Sequence, residues 1–148
     1  MNNPVSVVVS DFDFIKQLPI DLKEVKLPQQ TNIYDYIFSI FQQIRTIGKG
    51  ATLIVPLTAP LRPQQYQKTF NYSLGIRILN HPFQQFIQKL QKMFITTSLN
   101  IAGQPTINDP KQIPNELANQ IDWIIVDKPL NNPPSVIVDL KTGKIINR

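Results

Sequence analysis

The feature that most narrows the fold is the long helical pattern from Thr31 to Ile47, with short apolar runs on both sides of it. Ile33, Ile37, Phe41 and Ile44 recur at helical spacing, and Gly48 closes the run. A helix with one apolar stripe must bury that stripe against another element. The flanking runs supply a sheet to bury it on. Pro4 to Val9, rich in valine, reads as a buried strand. Ala51 to Leu57, Leu74 to Ile78, Phe94 to Thr97, Trp123 to Val126 and Ser135 to Leu140 read as further strands. Gly143 turns the chain into a last short one, Lys144 to Asn147. Between them fall three shorter helices. Asp11 to Leu18 has Ser10 as its N-cap and Phe14 and Leu18 on one face. The second opens at Asn80-His81-Pro82, with Pro82 at the first helical position and Phe83, Phe86, Ile87 and Leu90 toward the core. The third opens on Asp109-Pro110-Lys111-Gln112, a capping box with proline at its first position. Ile20 to Leu27, and the segment around Arg62, Pro63 and Tyr66, read as loops. With no repeat and no linker, the expectation is one α/β domain over residues 1–148, a twisted mixed sheet with helices.

Composition removes several kinds of chemistry. The 148 residues are 42% hydrophobic, enough for a core and against general disorder. There is no cysteine, hence no disulfide, thiolate metal site or thiol nucleophile. The single histidine, His81, supplies neither a two-histidine metal site nor a serine–histidine relay with a spare. Carboxylates, hydroxyls, amides and cations must carry any chemistry. A net charge of +5 favours anionic partners such as nucleotides or RNA, and equally suits an ordinary solvated basic surface. Met1-Asn2-Asn3-Pro4 is no signal-peptide start, and no apolar run approaches the roughly 20 residues a membrane helix needs. A cytoplasmic protein with no membrane partner is expected.

The segment Thr96-Thr97-Ser98-Leu99-Asn100-Ile101-Ala102-Gly103-Gln104-Pro105 gathers hydroxyls, an amide and glycine where a strand ends. Ligands of open α/β sheets bind beyond strand ends, where backbone N–H groups and short polar side chains meet an anion. A plain turn has the same composition. In Leu74-Gly75-Ile76-Arg77-Ile78, strand alternation sets Arg77 opposite Ile76 and Ile78. Facing a cleft, its guanidinium would clamp a carboxylate or phosphate; facing water, it would be an ordinary exposed cation. The His81 ring suits a helix cap, as do Asp11 and Asp13 at the first short helix. Trp123 and the phenylalanines fall at core spacing and do not interleave with cations as a base-stacking platform would.

Four stretches carry a resemblance. Ser73-Leu74-Gly75-Ile76-Arg77-Ile78-Leu79-Asn80-His81-Pro82 resembles the (S/T)-x-G-(I/V)-R-x-P-x-H-P signature of YrdC-like domains, with Leu79 where the signature has proline. Thr97-Ser98-Leu99-Asn100-Ile101-Ala102-Gly103-Gln104-Pro105 resembles their T-S-A-N-x-S-G-x-P loop. Pro134-Ser135-Val136-Ile137-Val138-Asp139-Leu140 resembles their P-S-T-V-V-D-L strand, and Pro4-Val5-Ser6-Val7-Val8-Val9 their P-L-S-V-L-V strand. Asp127-Lys128-Pro129 stands where the family reads D-G-G, and Arg148 is offset by one from the basic residue of a terminal I-L-R. The family's P-T-D-T-x-Y-G-L strand-turn and K-x-R motif, which line the cleft, are not among these residues. The alignment begins just past K-x-R-P, which fits a fragment, a misplaced start or a natural short form.

The resemblance implies a partial YrdC-like domain and a threonylcarbamoyl-AMP synthase. L-threonine and bicarbonate form a carbamate that attacks the α-phosphate of ATP, for threonylcarbamoyladenosine modification of tRNA. It implies ATP contacts from Ser73, Asn100, Asn108 and Arg148, and threonine contacts from Arg77, Ser98 and Ser135, with Arg77 facing the carboxylate. Mg2+ would be carried by ATP, with no protein metal site. RNA or tRNA and a tRNA-modification transferase are the implied macromolecular partners. Without the K-x-R motif, a non-catalytic RNA- or nucleotide-binding relative and a weakly folded remnant stand as alternatives.

Overall fold

The computed structural model describes residues 6–59, 72–101, 103–125, 129, 131 and 134–146. The strands in chain order are β1 (Ser6–Val8), β2 (Ala51–Pro56), β3 (Ser73–Arg77), β4 (Phe94–Thr96), β5 (Val136–Asp139) and β6 (Ile145–Ile146). The helices are α1 (Phe12–Lys16), α2 (Ile33–Thr46), α3 (Phe83–Leu90) and α4 (Asn115–Ala118). All six strands join one mixed sheet in the order β4-β1-β3-β2-β5-β6. β1 runs parallel to β3 and β2 parallel to β5, while β4 against β1, β2 against β3 and β6 against β5 are antiparallel. The mixed α/β architecture read from the sequence is the one observed. By contacts the chain forms two compact units, 1–96 with 133–148, and Thr97–Asn132.

The sheet unit has a clear inside. Val7 and Val9, Ala51, Leu53 and Val55, Leu74 and Ile76, and Val136 and Val138 share one cluster with Ile15 of α1 and Ile33, Ile37, Ile40 and Ile44 of α2. Successive strand side chains point to opposite faces. The same strands therefore turn Ser6, Val8, Thr52, Ile54, Ser73, Gly75, Arg77, Ile137 and Asp139 to the other face. The register agrees, since Arg77 lies opposite both Thr52 and Val8. Apolar burial against α1 and α2 fixes which face each strand presents, and so fixes where Arg77 points.

Several local expectations change. Asp11, not Ser10, caps α1: its Oδ1 accepts from Phe14 N at 2.8 Å, while Ser10 is fully buried. The α1 side chain that enters the core is Ile15 rather than Phe14. In α2 it is Ile40, not Phe41, that completes the buried stripe with Ile33, Ile37 and Ile44. On α3 the buried residues are Gln84 and Ile87, whereas Phe83, Phe86 and Leu90 are exposed. Gln84 decides this orientation, because its amide closes three backbone groups of other segments. Asp109 does cap its turn, yet only a 3₁₀ turn forms at Pro110–Gln112. Ile113, ahead of Pro114, is held extended (φ −67, ψ 117), as residues before proline are, and the helix breaks there. Trp123, Ile124 and Ile125 form no strand and are exposed. An apolar run becomes a strand only where a neighbour takes up its backbone groups, and among the described residues none pairs with them. Val126 lies outside the described residues, as do the Pro4 end of the first predicted strand and the loop around Arg62, Pro63 and Tyr66.

Candidate functional site

In the sheet unit the site is built on β3. Two antiparallel and parallel neighbours hold it, with Ser73 opposite Pro56, and Arg77 opposite Thr52 and Val8. Arg77 Nη2 donates to Ser135 Oγ at 2.9 Å, a partly buried contact across 58 positions of sequence. Ser135 is set by the ladder beside it, where Val136 N donates to Gly50 O at 2.9 Å. Gly50 in turn makes room for the hydroxyl: a Cβ there would meet Ser135 Oγ at 3.2 Å. Thr52, one of the few buried polar residues, lies beside Arg77 on the same face. Arg77, Ser135 and Ser73 thus occupy one face of the sheet, the face without the helix core.

Ser73 and Arg77 stand at opposite ends of β3 on that face. Four residues of strand separate them by about 13 Å at the usual rise. Gly75 lies between them with no side chain of its own on the strand.

The Thr97–Asn132 unit holds the remaining described candidates. Ser98 Oγ donates to Asn100 Oδ1, and Asn100 Nδ2 donates to Ile101 O at 3.1 Å and Gln104 O at 3.2 Å. Gln104 N donates to Ile101 O and Ile107 N to Leu99 O, which curls the loop back on itself. Gly103 sits at φ +81, a left-handed conformation that glycine adopts without a Cβ penalty. Ser98 is exposed, Asn100 half-buried and Asn108 exposed. Arg148 lies outside the described residues, as do Ala102, Asp127 and Lys128.

The structure therefore joins Arg77 to Ser135 directly, adds Ser73 on their face, and joins Ser98 to Asn100 in the other unit. His81 keeps a capping role, its Nδ1 accepting from Phe83 N at 3.2 Å. Asp11 is likewise a cap: the Phe14 N–H holds its carboxyl below the ordinary value, against a smaller desolvation effect in the other direction. Gly50, Thr52 and Gln84 were not singled out in the sequence. Gly50 carried a signal, a glycine at a strand start where another chain segment comes close; the other two carried none.

The sheet face of this α/β protein therefore carries an arginine bonded to a hydroxyl, with a serine at the far end of the same strand. The Sua5/YciO/YrdC family model, described as telomere recombination, matches residues 1–148, and the chain belongs to that family. It is 33% identical over 76 residues to a threonylcarbamoyl-AMP synthase of Pseudoalteromonas translucida (strain TAC 125), covering 49% of this chain and 40% of that protein. It is 23% identical over 137 residues to a threonylcarbamoyl-AMP synthase of Pseudomonas savastanoi pv. phaseolicola, covering 89% of this chain and 74% of the relative. Among solved structures, Escherichia coli YciO superposes with a TM-score of 0.66 at 19% identity, over 99% of this chain and 65% of the other. P. abyssi Sua5 complexed with L-threonine gives 0.67 at 15% identity, over 99% and 39%. At these identities the structural matches establish the fold. The chain spans less than half the length of the Pseudoalteromonas relative and of the Sua5 chain.

Proposed function

We propose that this chain is a threonylcarbamoyl-AMP synthase-like protein whose sheet face binds L-threonine and ATP. The observation that carries the reading is the Arg77–Ser135 pair, 2.9 Å apart, on the strand face that also bears Ser73. A guanidinium steadied by a hydroxyl suits a carboxylate, which accepts charge-assisted bonds from it. The span of about 13 Å between Ser73 and Arg77 suits a ligand with an amino-acid end and a nucleotide end. The P. abyssi Sua5 relative was solved with L-threonine, which favours the same reading.

In this reading Arg77 holds the threonine carboxylate beside Ser135, and the family resemblance assigns Ser98 a threonine contact as well. Ser73, Asn100, Asn108 and Arg148 serve the nucleotide. The threonine amine and bicarbonate condense to a carbamate and water. A carbamate oxygen then attacks the α-phosphorus of ATP, and the bond to pyrophosphate breaks. No protein nucleophile is needed, since alignment and charge neutralisation carry nucleotidyl transfer. Magnesium arrives on the ATP phosphates as part of that substrate. The product would serve tRNA modification in the cytoplasm, with a tRNA-modification transferase as the next partner.

The test is release of pyrophosphate from ATP that depends on both threonine and bicarbonate, with Arg77→Ala as control. Expected is release in the parent chain and its loss in the variant. A parent chain that binds RNA with a steep salt dependence, and releases no pyrophosphate, would replace the synthase with a nucleic-acid-binding relative.

A further inference from the structure

Gln84 is buried, 8% exposed, on the first turn of a helix that otherwise leaves Phe83, Phe86 and Leu90 in solvent. Its amide is heavily used. Oε1 accepts from Leu79 N at 2.8 Å, and Nε2 donates to Val9 O at 2.9 Å and Ser10 O at 2.7 Å. These partners are the chain just beyond Arg77 and the chain just beyond β1. Between them, Val9 N donates to Arg77 O at 3.0 Å. The arginine backbone is therefore held at its own carbonyl by Val9, just past β1, and two residues later by an amide that is itself anchored to Val9 and Ser10.

We propose that Gln84 is a positioning residue for Arg77. It fixes the exit of β3, so that the guanidinium stays at Ser135 and is presented to the ligand carboxylate. The proposal deepens the threonine reading and rests on it for the ligand. Leu79 gives it a sharp form. The signature that this segment resembles has proline there, and a proline has no N–H. In this chain the N–H is present and partly buried, and Gln84 takes it up. A stiff, donor-free residue at 79 and an amide at 84 are two ways of holding the same bend. The two are incompatible together, because a proline ring carbon would be driven against Oε1 at the place where the N–H now donates.

The experiment is a double-mutant cycle of Gln84→Leu and Leu79→Pro. KM for threonine and for ATP are read from pyrophosphate release, with threonine binding by calorimetry. In the free protein, Leu79 amide exchange and the Arg77 Nε resonance are followed by NMR. Gln84→Leu is expected to raise the threonine KM by about tenfold or more while ATP KM moves by no more than roughly twofold. The same variant should lose exchange protection at Leu79 and shift the Arg77 signal. Leu79→Pro alone should also weaken threonine binding, and the double variant should recover the part of the loss that came from the orphaned N–H and the blocked amide, while Val9 O and Ser10 O still lack their Nε2 donor.

Equal changes in both KM values would overturn the proposal, as would a double variant no better than its parents. So would an unshifted Arg77 signal in Gln84→Leu. If threonine binds none of the four proteins, the ligand reading fails. The NMR arm still decides whether Gln84 positions Arg77. Where Gln84→Leu alone does not fold, Leu79→Pro against the double variant carries the same comparison.

Discussion

The sheet unit and the Thr97–Asn132 unit hold their shapes by different means. Every buried hydrophobic residue among those described belongs to the first, from Val7 to Leu140, and none to the second. The second is made of local hydrogen bonds: Asp109 on Lys111 N at 2.9 Å, Asn100 on Ile101 and Gln104, and the turns of Pro114 to Gln120. It also displays Trp123, 88% exposed, with Ile124 and Ile125 beside it. Apolar burial supplies most of the stabilisation of a folded domain, and a local bond contributes much less after its competition with water. Arg77 and Ser135 thus stand in a unit with a buried apolar core, and Ser98 and Asn100 in one whose described hydrogen bonds are local.

The largest test of that contrast is Leu53→Ala, at a fully buried position in the middle of β2. Loss of about 2–5 kcal/mol is expected from the removed contacts and the cavity, read by urea denaturation. A loss below about 1 kcal/mol would mean the sheet core relaxes as readily as a loop. A smaller effect belongs to the α1 cap, where Asp11→Ala should cost about 1 kcal/mol near neutral pH.

That cap also has a pH signature. The folded carboxyl of Asp11 lies below its ordinary value, chiefly because it accepts from Phe14 N. The unfolded chain therefore binds the proton more readily between the two values. Its stabilisation is present above the unfolded value and lost as pH falls through the folded one. The gap in stability between the parent and Asp11→Ala should close on acidification through that window. A gap that stays constant down to full protonation would remove the charge from the account and leave only geometry.

The smallest effect is expected in the other unit. Trp123→Ser should move stability by no more than about 0.5 kcal/mol, since an exposed side chain has little burial to lose. A much larger loss in the same denaturation experiment would show that the indole is covered in solution, and that the contrast between the units is overstated.

Local signals in the sequence were accurate for most element types, though Asp11 rather than Ser10 caps α1 and Pro114 cuts the Asp109 helix to a 3₁₀ turn. The spacing of Ile33, Ile37 and Ile44, with Gly48 at φ +72 behind them, marks α2 to within two residues at its start and one at its end. The strands Ala51–Pro56 and Val136–Asp139 were legible as apolar runs, and Asp109 and His81 as caps. The candidate residues Ser73, Arg77, Ser98, Asn100 and Ser135 were legible as motifs. The larger errors arose where a distant segment casts the vote. Phe83, Phe86 and Leu90 have the spacing of a core face, and lose it because Gln84 finds acceptors 75 and 74 positions away. Trp123 to Ile125 has the composition of a strand, and among the described residues finds no neighbour to pair with.

What the sequence alone determined, then, is the kinds of element, their order, and the residues capable of chemistry. Periodicity and capping are written in neighbouring residues, so they can be read there. Only the tertiary structure decided which sheet face is buried, and hence that Arg77 meets Ser135 beside Gly50 rather than water. A period of two says that faces alternate without saying which one faces the core. That choice is made by the helices packed on Leu53 and Ile76, and by strand pairings that bring residues 58 positions apart within a hydrogen bond.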